Sequence, residues 1–333
     1  MTTAHKIILD IDTGIDDALA ILLALNSPEL ELLGCSVVAG NTIVEQAVNN
    51  TLGVLQVAGR NDIPVARGAA HPLTRRLTTA THFHGPKGLG LVELPEPDVR
   101  PLELSGPQYL IEMSRRYAGE LTVVATGPLT NLALALLLEP QWIYNLKRLI
   151  IMGGAVRCPG NITPVAEANF YNDPEAAQAV LSTGANITLV GLDVTTQARI
   201  AWSAISHHAS QTEKLTPSAG LALELLRFYT NSHGESREAH LHDPLAVGIA
   251  AIPDLVKTTR MQVEVETIGR LTRGQSVGYS QTVIDQIENM GAYDDVVSVS
   301  IDHPSNAEVC LEVKAAEFAE LFQTRLGLGP QLS

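Results

Sequence analysis

The stretch from Lys6 to Asp17 reads KIILDIDTGIDD and joins an apolar run to a cluster of aspartates. The apolar start predicts a buried strand, and the residues that follow carry the spacing of a helix. One or two aspartates at such a junction would be ordinary helix caps, which contribute about 1 kcal/mol. Four like charges this close repel one another, so we expect a bound cation here. The four carboxylates are Asp10, Asp12, Asp16 and Asp17.

The alternation of short apolar runs and longer helical segments continues along the chain. The predicted strands are 6–9, 31–38, 121–125, 149–152, 187–190, 261–265 and 296–301. The predicted helices are 16–25, 43–58, 129–139, 174–181, 221–230, 244–251 and 315–326. This rhythm predicts the α/β class, with a mostly parallel central sheet, helices on both faces and a Rossmann-like core. The proline-rich segment 93–101 predicts a surface loop, so we expect a single domain over residues 1–333.

Composition and charge exclude several classes of function. The chain has 22 Lys and Arg against 36 Asp and Glu, a formal net charge of −14. This balance argues against a nucleic-acid partner and against docking on anionic lipid. The three cysteines lie far apart without C-x-x-C spacing, which favours a reducing, cytoplasmic setting. No apolar run reaches the roughly 18 residues of a membrane helix, and the first residues lack the apolar core of a signal peptide.

Polar residues follow several of the predicted strands. Ligands of open parallel sheets bind outside the carboxyl ends of the strands, so we expect the site there. These residues are rich in carboxylates and amides and poor in Lys and Arg, whereas a phosphate site normally shows the reverse. They are residues 10–17, Asn41, Thr126, 153–172 and Asp193, joined by 240–243 before a predicted helix.

Two motifs compete for the aspartate cluster. Counted from Asp10, an EF-hand loop needs Gly at position 6 and Glu at position 12, where this chain has Ile15 and Ile21. A phosphatase of the Asp-x-Asp, haloacid-dehalogenase type would use Asp10 as nucleophile with Mg²⁺, and would have Thr or Val where Gly14 stands. It would also need a phosphate-binding Lys, and no Lys convincingly follows a strand. The EF-hand fails, and the phosphatase stays as an alternative.

A third interpretation covers nearly the whole chain. Residues 10–20, DIDTGIDDALA, closely resemble the N-terminal signature of the nucleoside hydrolases, the inosine/uridine-preferring ribonucleoside hydrolase family. The family more often has Pro where Thr13 stands, and Val or Ile where Leu19 stands; both departures are conservative. Further segments resemble the family in family order, across about residues 5–320. They are 38–41 (VAGN), 82–85 (HFHG), 125–131 (ATGPLTN), 152–154 (MGG), 167–170 (EANF) and 242–244 (HDP).

The resemblance implies one Ca²⁺ ion at the bottom of the pocket. Its ligands would be Asp12, Asp17, Asp243 and the main-chain carbonyl of Thr126, with water and ribose hydroxyls completing the shell. Asp10 would orient these ligands from behind. Hard oxygen ligands agree with Ca²⁺ rather than Zn²⁺.

The implied reaction is hydrolysis of the N-glycosidic bond of a ribonucleoside to ribose and free base, an N-ribosyl hydrolase activity of class EC 3.2.2. We expect an oxocarbenium-like transition state, as in glycoside hydrolysis. A water molecule bound to the ion and activated by Asp12 would attack the anomeric carbon. Such an enzyme would act in nucleoside salvage and in purine or pyrimidine metabolism.

The resemblance also implies roles around the substrate. The expected base-side residues are His242, as proton donor to the leaving base, with His82 and Tyr229. Missing ribose hydroxyls would leave buried polar groups unpaired, so deoxynucleosides should be poor substrates. The expected ribose contacts are Asp16 and Asn169 to the 2′ and 3′ hydroxyls, Asn161 and Glu167 to the 5′ hydroxyl, Asn41 near the ion, and Met152 against the sugar.

Two further expectations concern base preference and assembly. Purine-specific relatives tend to sandwich the base between tryptophans, and neither Trp142 nor Trp202 lies in a base-side segment. The histidines favour the broader or pyrimidine-leaning branch. The family usually forms dimers or tetramers, so a homo-oligomer is expected. A non-catalytic nucleoside- or ribose-binding protein of the same fold is the other alternative, although its mark, loss of the carboxylates, is not seen.

Overall fold

A computed structural model describes residues 4–209, 215–232, 237–280, 282–283 and 305–329. The strands are β1 (His5–Ile11), β2 (Leu30–Val37), β3 (Val65–Arg67), β4 (Thr122–Ala125), β5 (Arg148–Met152), β6 (Ile187–Val190), β7 (Arg199–Ala201), β8 (Glu238–His240), β9 (Val256–Val265), β10 (Ser276–Tyr279) and β11 (Ala307–Val313).

The helices connect these strands. They are α1 (Ile15–Leu25), α2 (Val44–Val57), α3 (Thr81–His84), α4 (Gly106–Arg116), α5 (Thr130–Leu138), α6 (Ala168–Asn172), α7 (Pro174–Leu181), α8 (Leu192–Thr195), α9 (Trp202–Ala209), α10 (Pro217–Ser232), α11 (His242–Ala251) and α12 (Ala315–Arg325). Two short 3₁₀ turns, Trp142–Asn145 and Pro253–Leu255, complete the described set.

Nine of the strands form one sheet, in the order β10-β9-β11-β6-β5-β4-β1-β2-β3. The seven strands from β11 to β3 pair in parallel, and β9 and β10 extend the sheet antiparallel. The prediction of a mostly parallel central sheet is therefore confirmed. The chain order reverses between β1 and β4, and the crevice at such a reversal is where open α/β sheets bind ligands.

Two apolar cores cover the two faces of the sheet, because the central strands are apolar on both sides. Ile7 and Leu9 of β1 face the core formed with α1, α2, α10, α11 and α12. Ile8 faces the opposite core, which α4, α5 and α7 complete. Helices on both faces were the expectation from the rhythm of the sequence. The sheet thus holds the carboxyl ends of β1 and β4 side by side at the centre of the molecule.

Most predicted elements appear within a residue or two of their predicted bounds, and 174–181 and 187–190 agree in full. The exceptions lie at element ends. The first strand runs on to Ile11, so Asp10 lies inside it and not after it as the sequence suggested. The strand predicted at 261–265 starts at Val256, and the helix predicted at 221–230 starts at Pro217. The strand predicted at 296–301 lies outside the described residues.

The sequence interpretation missed several elements. The helix α4 carries a recognisable start signal: Ser105 is its N-cap, and the Gln108 side chain accepts a hydrogen bond from the Ser105 backbone N–H at 3.2 Å. The strand β11 lies between β6 and β9 in the sheet although it comes last in the chain. Cys35, Cys158 and Cys310 are free thiols. Within the described ranges, no helix is both long and apolar enough to cross a membrane.

Candidate active site

The carboxyl end of β1 continues into the carboxylate loop, residues 12–17. Asp17 accepts the Gly14 backbone N–H at 2.9 Å and so caps the start of α1. A side chain at position 14 would begin only 2.7 Å from Asn41 Nδ2 and from His84 Nδ1, so only glycine fits there. The loop is therefore pressed against side chains from two other segments.

Three carboxylate side chains from two helices lie close together at this loop. Asp16 and Asp17 come from the first turn of α1 and Asp243 from the first turn of α11. Each offers an oxygen atom within 4.8 Å of the other two, and all three side chains are buried. The first turn of a helix carries a partial positive charge, which favours carboxylates there.

Burial is the main cause of raised pKa values in this group. It raises the pKa of Asp16 and of Asp17 to about 6, and the charge of Asp16 adds to the effect on Asp17. The pKa of Asp243 is raised further above its usual range, first by burial and then by the charges of Asp16 and Asp17. These groups cannot all ionise near neutral pH without a compensating positive charge. Their hard oxygen donors fit a divalent cation of the Ca²⁺ or Mg²⁺ kind.

Asp12 lies beside the three-carboxylate group. Its two oxygens accept hydrogen bonds from the Asn41 backbone N–H at 2.6 Å and from Asn41 Nδ2 at 3.2 Å. Burial, followed by the charge of Asp17, raises its pKa. The close group thus contains Asp17 and Asp243, two of the ligands predicted from the sequence, together with Asp16, for which the sequence predicted a ribose contact.

The ends of β4 and β5 form the next part of the wall. The Thr126 hydroxyl donates to Asp17 Oδ1 at 2.9 Å, so Thr126 adjoins the three-carboxylate group. Asn169 Nδ2 donates to the Thr126 carbonyl at 2.7 Å and to the Met152 carbonyl at 3.2 Å. One amide therefore ties together the carboxyl ends of two neighbouring strands. Thr126, Met152 and Asn169 all line the cavity.

Glu167 and Asn161 line the same cavity and also hold its wall in shape. Glu167 is the N-cap of α6: it accepts the Asn169 N–H at 2.9 Å and the Gly154 N–H at 3.0 Å. Burial raises its pKa to about 7. The Asn161 side-chain oxygen accepts the Ala168 N–H at 3.0 Å.

The opposite wall is the base-side segment, residues 80–88. His82, Phe83 and His84 of α3 all line the cavity. His82 is exposed, whereas His84 is buried, accepts the Ile15 N–H at 3.2 Å and lies 3.8 Å from an Asp16 oxygen. His84 therefore adjoins the carboxylates more closely than the predicted His82.

His242 lines the cavity beside Asp243. Its Nδ1 lies 2.8 Å from the Thr195 hydroxyl, and its ring stacks on His240 with 5.4 Å between centroids. Burial, then the charges of His240 and His84, lowers the pKa of His242 to about 3, so the ring is neutral near pH 7.

Tyr229 stands behind this wall. Its ring is only 2% exposed and packs edge-to-face on Phe83 at 5.3 Å. It is not among the described residues that line the cavity, so it supports the base-side segment from within the core. Its predicted contact with the base stays a prediction.

Asp10 lies outside the cavity, buried in β1. Its Oδ1 accepts a hydrogen bond from Asn131 Nδ2 at 2.9 Å, and Asn131 also donates to the Ser36 hydroxyl at 3.0 Å. Burial raises the pKa of Asp10 to about 7. This place behind the carboxylate loop fits a supporting residue.

The walls together enclose a cavity of about 150 Å³. Its described lining contains carboxylates, amides and imidazoles but no Lys or Arg, which suits a neutral polar ligand such as a sugar better than a phosphate. A family model described as inosine-uridine preferring nucleoside hydrolase matches residues 7–320. The chain belongs to this family.

Relatives and solved structures agree with this membership. The probable uridine nucleosidase 2 of Arabidopsis thaliana is 38% identical over 313 residues, 92% of this hydrolase and 96% of the relative. The pyrimidine-specific ribonucleoside hydrolase RihA of Escherichia coli is 38% identical over 331 residues, 97% of this chain and 98% of the relative. The solved structure of the plant nucleoside hydrolase PpNRh1 is 32% identical, with a TM-score of 0.87 and coverage of 97% and 99%.

The resemblance inferred from the sequence is thus confirmed, and with it the fold class and the prediction of an N-ribosyl hydrolase of class EC 3.2.2. The sequence missed Phe83, His84 and Ile162, which line the cavity of the hydrolase. The signal for the first two was the segment 82–85, in which only His82 was singled out. Asp193, expected near the ligand, instead holds the backbone N–H groups of residues 156 and 157.

Stabilisation of the hydrolase by Ca²⁺ should grow as pH rises from 5 to 7.5. The pKa of Asp16 and Asp17 is raised from 3.8 to about 6, so the folded state binds more protons than the unfolded state between these values. Without a cation, their contribution to stability therefore falls as pH rises through this window. Calcium must displace these protons, so its affinity should fall about tenfold per pH unit below 6 for each proton released.

Thermal unfolding with excess CaCl₂ and with a chelator, at matched ionic strength, measures this effect. The difference in Tm between the two conditions should be small at pH 5 and several degrees larger at pH 7.5. An equal difference at both pH values would contradict the assignment of a cation to these carboxylates.

Proposed function

We propose that this hydrolase is a Ca²⁺-dependent ribonucleoside hydrolase that prefers pyrimidine nucleosides and releases ribose and free base. The observation that carries the proposal is the group of buried carboxylates, Asp16, Asp17 and Asp243, at the floor of a cavity lined by amides and imidazoles. The hydroxyl groups of a sugar can contact these carboxylates, and a planar base suits the side of the cavity lined by His82, Phe83 and His84.

The ion would be held by Asp12, Asp17, Asp243 and the Thr126 carbonyl, which the distances among the carboxylates support for Asp17 and Asp243. When bound, Ca²⁺ supplies positive charge that acidifies a water molecule and orients ribose hydroxyls. Asp10 supports these residues from behind: its backbone carbonyl accepts the Thr126 N–H at 2.8 Å, and its side chain is held by Asn131.

Water attacks the anomeric carbon: a C1′–O bond forms, the C1′–N bond breaks, and the electron pair leaves with the base. Asp12 accepts the proton of the attacking water. Its raised pKa and its two bonds to Asn41, which fix its orientation, support this role. Positive charge builds on the ribose in the transition state, and the buried carboxylates stabilise it.

The cavity lining supports the ribose contacts that the family resemblance implies. Asp16 and Asn169 bind the 2′ and 3′ hydroxyls, and Asn161 and Glu167 bind the 5′ hydroxyl. The remaining two residues complete the ribose site, with Met152 packing against the sugar and Asn41 standing beside Asp12. Asn169 donates hydrogen bonds to the carbonyls of Thr126 and Met152 at the strand ends, and Asn41 donates one to Asp17.

His242 donates a proton to the departing base, with His82 as a second base-side group. Its Nδ1 is engaged by Thr195, which leaves Nε2 as the ring nitrogen for the substrate. Because the ring is neutral near pH 7, it first takes a proton from solvent water, and the negative charge that develops on the base favours this uptake by raising the pKa of the ring; the proton then passes to the base. Tyr229 contributes indirectly, by packing behind Phe83.

The preference for pyrimidines is supported by the relatives. Two of them, at 38% identity, are named for uridine or for pyrimidines. Of the two tryptophans, Trp142 is fully buried, and neither it nor Trp202 is among the described residues of the cavity lining. A tryptophan sandwich around a purine is therefore not formed by the described lining.

The alternatives fit less well. A phosphatase would need an accessible Asp10, but that side chain is 0% exposed and bonded to Asn131. A binding protein without turnover would have no need for Asp12 and the three-carboxylate group. A cytoplasmic location, a homo-oligomer and one domain over residues 1–333 complete the proposal, together with a place in nucleoside salvage.

Ribose release from uridine, cytidine, inosine, adenosine and guanosine tests the proposal directly. We expect release with Ca²⁺, fastest from uridine or cytidine, and loss of release after chelation. Deoxyuridine should be a poor substrate, because Asp16 and Asn169 then face a missing hydroxyl. Release that is unaffected by a chelator would contradict the calcium dependence, and no release from folded, calcium-bound protein would favour the binding-protein alternative.

The substitution Asp12→Asn should lower kcat by about 10²- to 10⁴-fold, because it removes the proton acceptor. The introduced amide keeps the size of the side chain and one acceptor for the Asn41 backbone N–H, and it loses only the bond from Asn41 Nδ2, so the fold should survive. Steady-state kinetics and circular dichroism measure the two effects, with the exposed Asp62→Asn as control. A folded Asp12→Asn enzyme with wild-type kcat would refute the mechanism.

The substitution His242→Ala should affect poor leaving groups most. We expect kcat/KM on uridine to fall by about 10²-fold or more, and on p-nitrophenyl riboside by less than about threefold, because nitrophenolate leaves without a proton. The exposed His71→Ala serves as control. Equal losses on both substrates would argue against proton donation by His242.

A further inference from the structure

One side chain of α2 contacts both the carboxylate loop and the base-side segment. Asn50 is 4% exposed, and its Nδ2 donates to the Thr13 carbonyl at 3.0 Å and to the Lys87 carbonyl at 2.8 Å. Its Oδ1 accepts a hydrogen bond from Gln46 Nε2 at 2.9 Å. Both amide hydrogens and the oxygen therefore have partners, and the orientation of the amide is determined.

The close approach at this point is built into the chain. Gly88 has a φ of +85°, a backbone conformation that glycine adopts most easily, and a Cβ there would stand 3.1 Å from Asn50 Nδ2. The base-side segment thus passes directly over the Asn50 amide. Asn50 is the point at which α2, the carboxylate loop and the base-side segment meet.

A neighbouring residue of α2 holds the same loop. The Thr51 hydroxyl donates to the Ala47 carbonyl at 2.8 Å, so in its 2.6 Å contact with the Thr13 hydroxyl it is the acceptor. Thr13 and Thr51 are both 0% exposed. Thr13 stands where the family more often has proline, and here it has a partner of its own. The carbonyl and the hydroxyl of Thr13 are thus both bonded to α2.

Two further contacts connect the base-side segment to other parts of the site without α2, one to the carboxylate loop and one to Asn41. The His84 ring accepts the Ile15 N–H at 3.2 Å, and the Asn41 carbonyl accepts the Ala80 N–H at 3.0 Å. These lie at the pocket itself, whereas the Asn50 contacts lie behind it. The carboxylate side and the base side of the site are therefore connected at the cavity by these two hydrogen bonds, and behind the cavity by the hydrogen bonds of Asn50.

We propose that Asn50 is a positioning residue that couples the cation site to the base-side segment. The inference rests on the proposed function, since it assigns a consequence for Ca²⁺ and for the nucleoside base. Thr13 directly follows Asp12, so a shift of its carbonyl turns the adjacent carboxylate. Lys87 follows α3 by three residues, so the same amide also sets where His82 and His84 stand.

The variant that tests this is Asn50→Asp. It keeps the shape and the acceptor for Gln46, but it replaces the donor nitrogen by an oxygen that repels both carbonyls. Loss of groups that orient metal ligands typically weakens metal binding about 10- to 100-fold, and we expect this range for the Ca²⁺ dissociation constant by calorimetry. At saturating Ca²⁺, kcat/KM for uridine should fall by about tenfold, and by less for p-nitrophenyl riboside, which depends less on the base-side wall.

A milder variant and a matched control complete the design. Gln46→Ala removes only the group that orients Asn50. It should raise the Ca²⁺ dissociation constant and lower kcat/KM, as Asn50→Asp does, but by a smaller factor. If Asn50→Asp does not fold, Gln46→Ala tests the role of Asn50 in its place. Asn306→Ala removes another buried asparagine, which exchanges two 2.8 Å hydrogen bonds with Val263; neither residue is among the described residues that line the cavity. It should lower Tm while leaving the Ca²⁺ dissociation constant and kcat/KM unchanged.

The results for wild-type protein and for Asn50→Asp distinguish failure of the proposed function from failure of the role of Asn50. If wild-type protein neither binds Ca²⁺ nor releases ribose, the proposed function fails and this inference fails with it. If wild-type protein does both, and folded Asn50→Asp binds Ca²⁺ within twofold of wild type, only the role of Asn50 is overturned. If Asn50→Asp lowers Tm but leaves Ca²⁺ binding unchanged, as we expect for Asn306→Ala, Asn50 has only a structural role.

Discussion

Repulsion between buried carboxylates is the constraint around which the pocket is built. Asp16, Asp17 and Asp243 are withdrawn from water, which raises the pKa of all three, and the charge of Asp16 raises the pKa of the other two further. Part of their charge is met by the first turns of α1 and α11, and part by hydrogen bonds from Gly14 and Thr126. The remainder calls for a cation. The arrangement therefore favours a positive charge, which suits the cation and the cationic transition state of the proposed function.

The side chains around this floor have two tasks at once. Asn169 joins the ends of β4 and β5, and Glu167 caps α6, while both also line the cavity. Strand ends and helix starts leave backbone groups without partners, and polar side chains satisfy them. A site at the carboxyl ends of strands can use the same side chains for its ligand. Substitutions there should consequently alter stability and activity together, which is why matched controls outside the cavity matter.

Much of the fold and the core of the site follow from local signals. The alternation of apolar runs with helical segments predicts the parallel sheet, and the pair Asp173-Pro174 predicts the start of α7, where the Asp173 carboxylate accepts the Ala176 N–H at 3.0 Å. Other features depend on contacts between distant segments. Nothing local indicates that β11 enters the sheet between β6 and β9, or that Tyr229 packs behind Phe83.

The sequence by itself determined the fold class, the family and the cluster of aspartates after the first strand, because these depend on residue type and short-range spacing. Only the tertiary structure decided how the cluster is arranged. It grouped Asp16 with Asp243 and turned Asp12 toward Asn41, and it placed His84, more than His82, against the carboxylates. These choices depend on the direction of each side chain where strands, helices and loops meet, and that direction is set by packing between segments far apart in the chain.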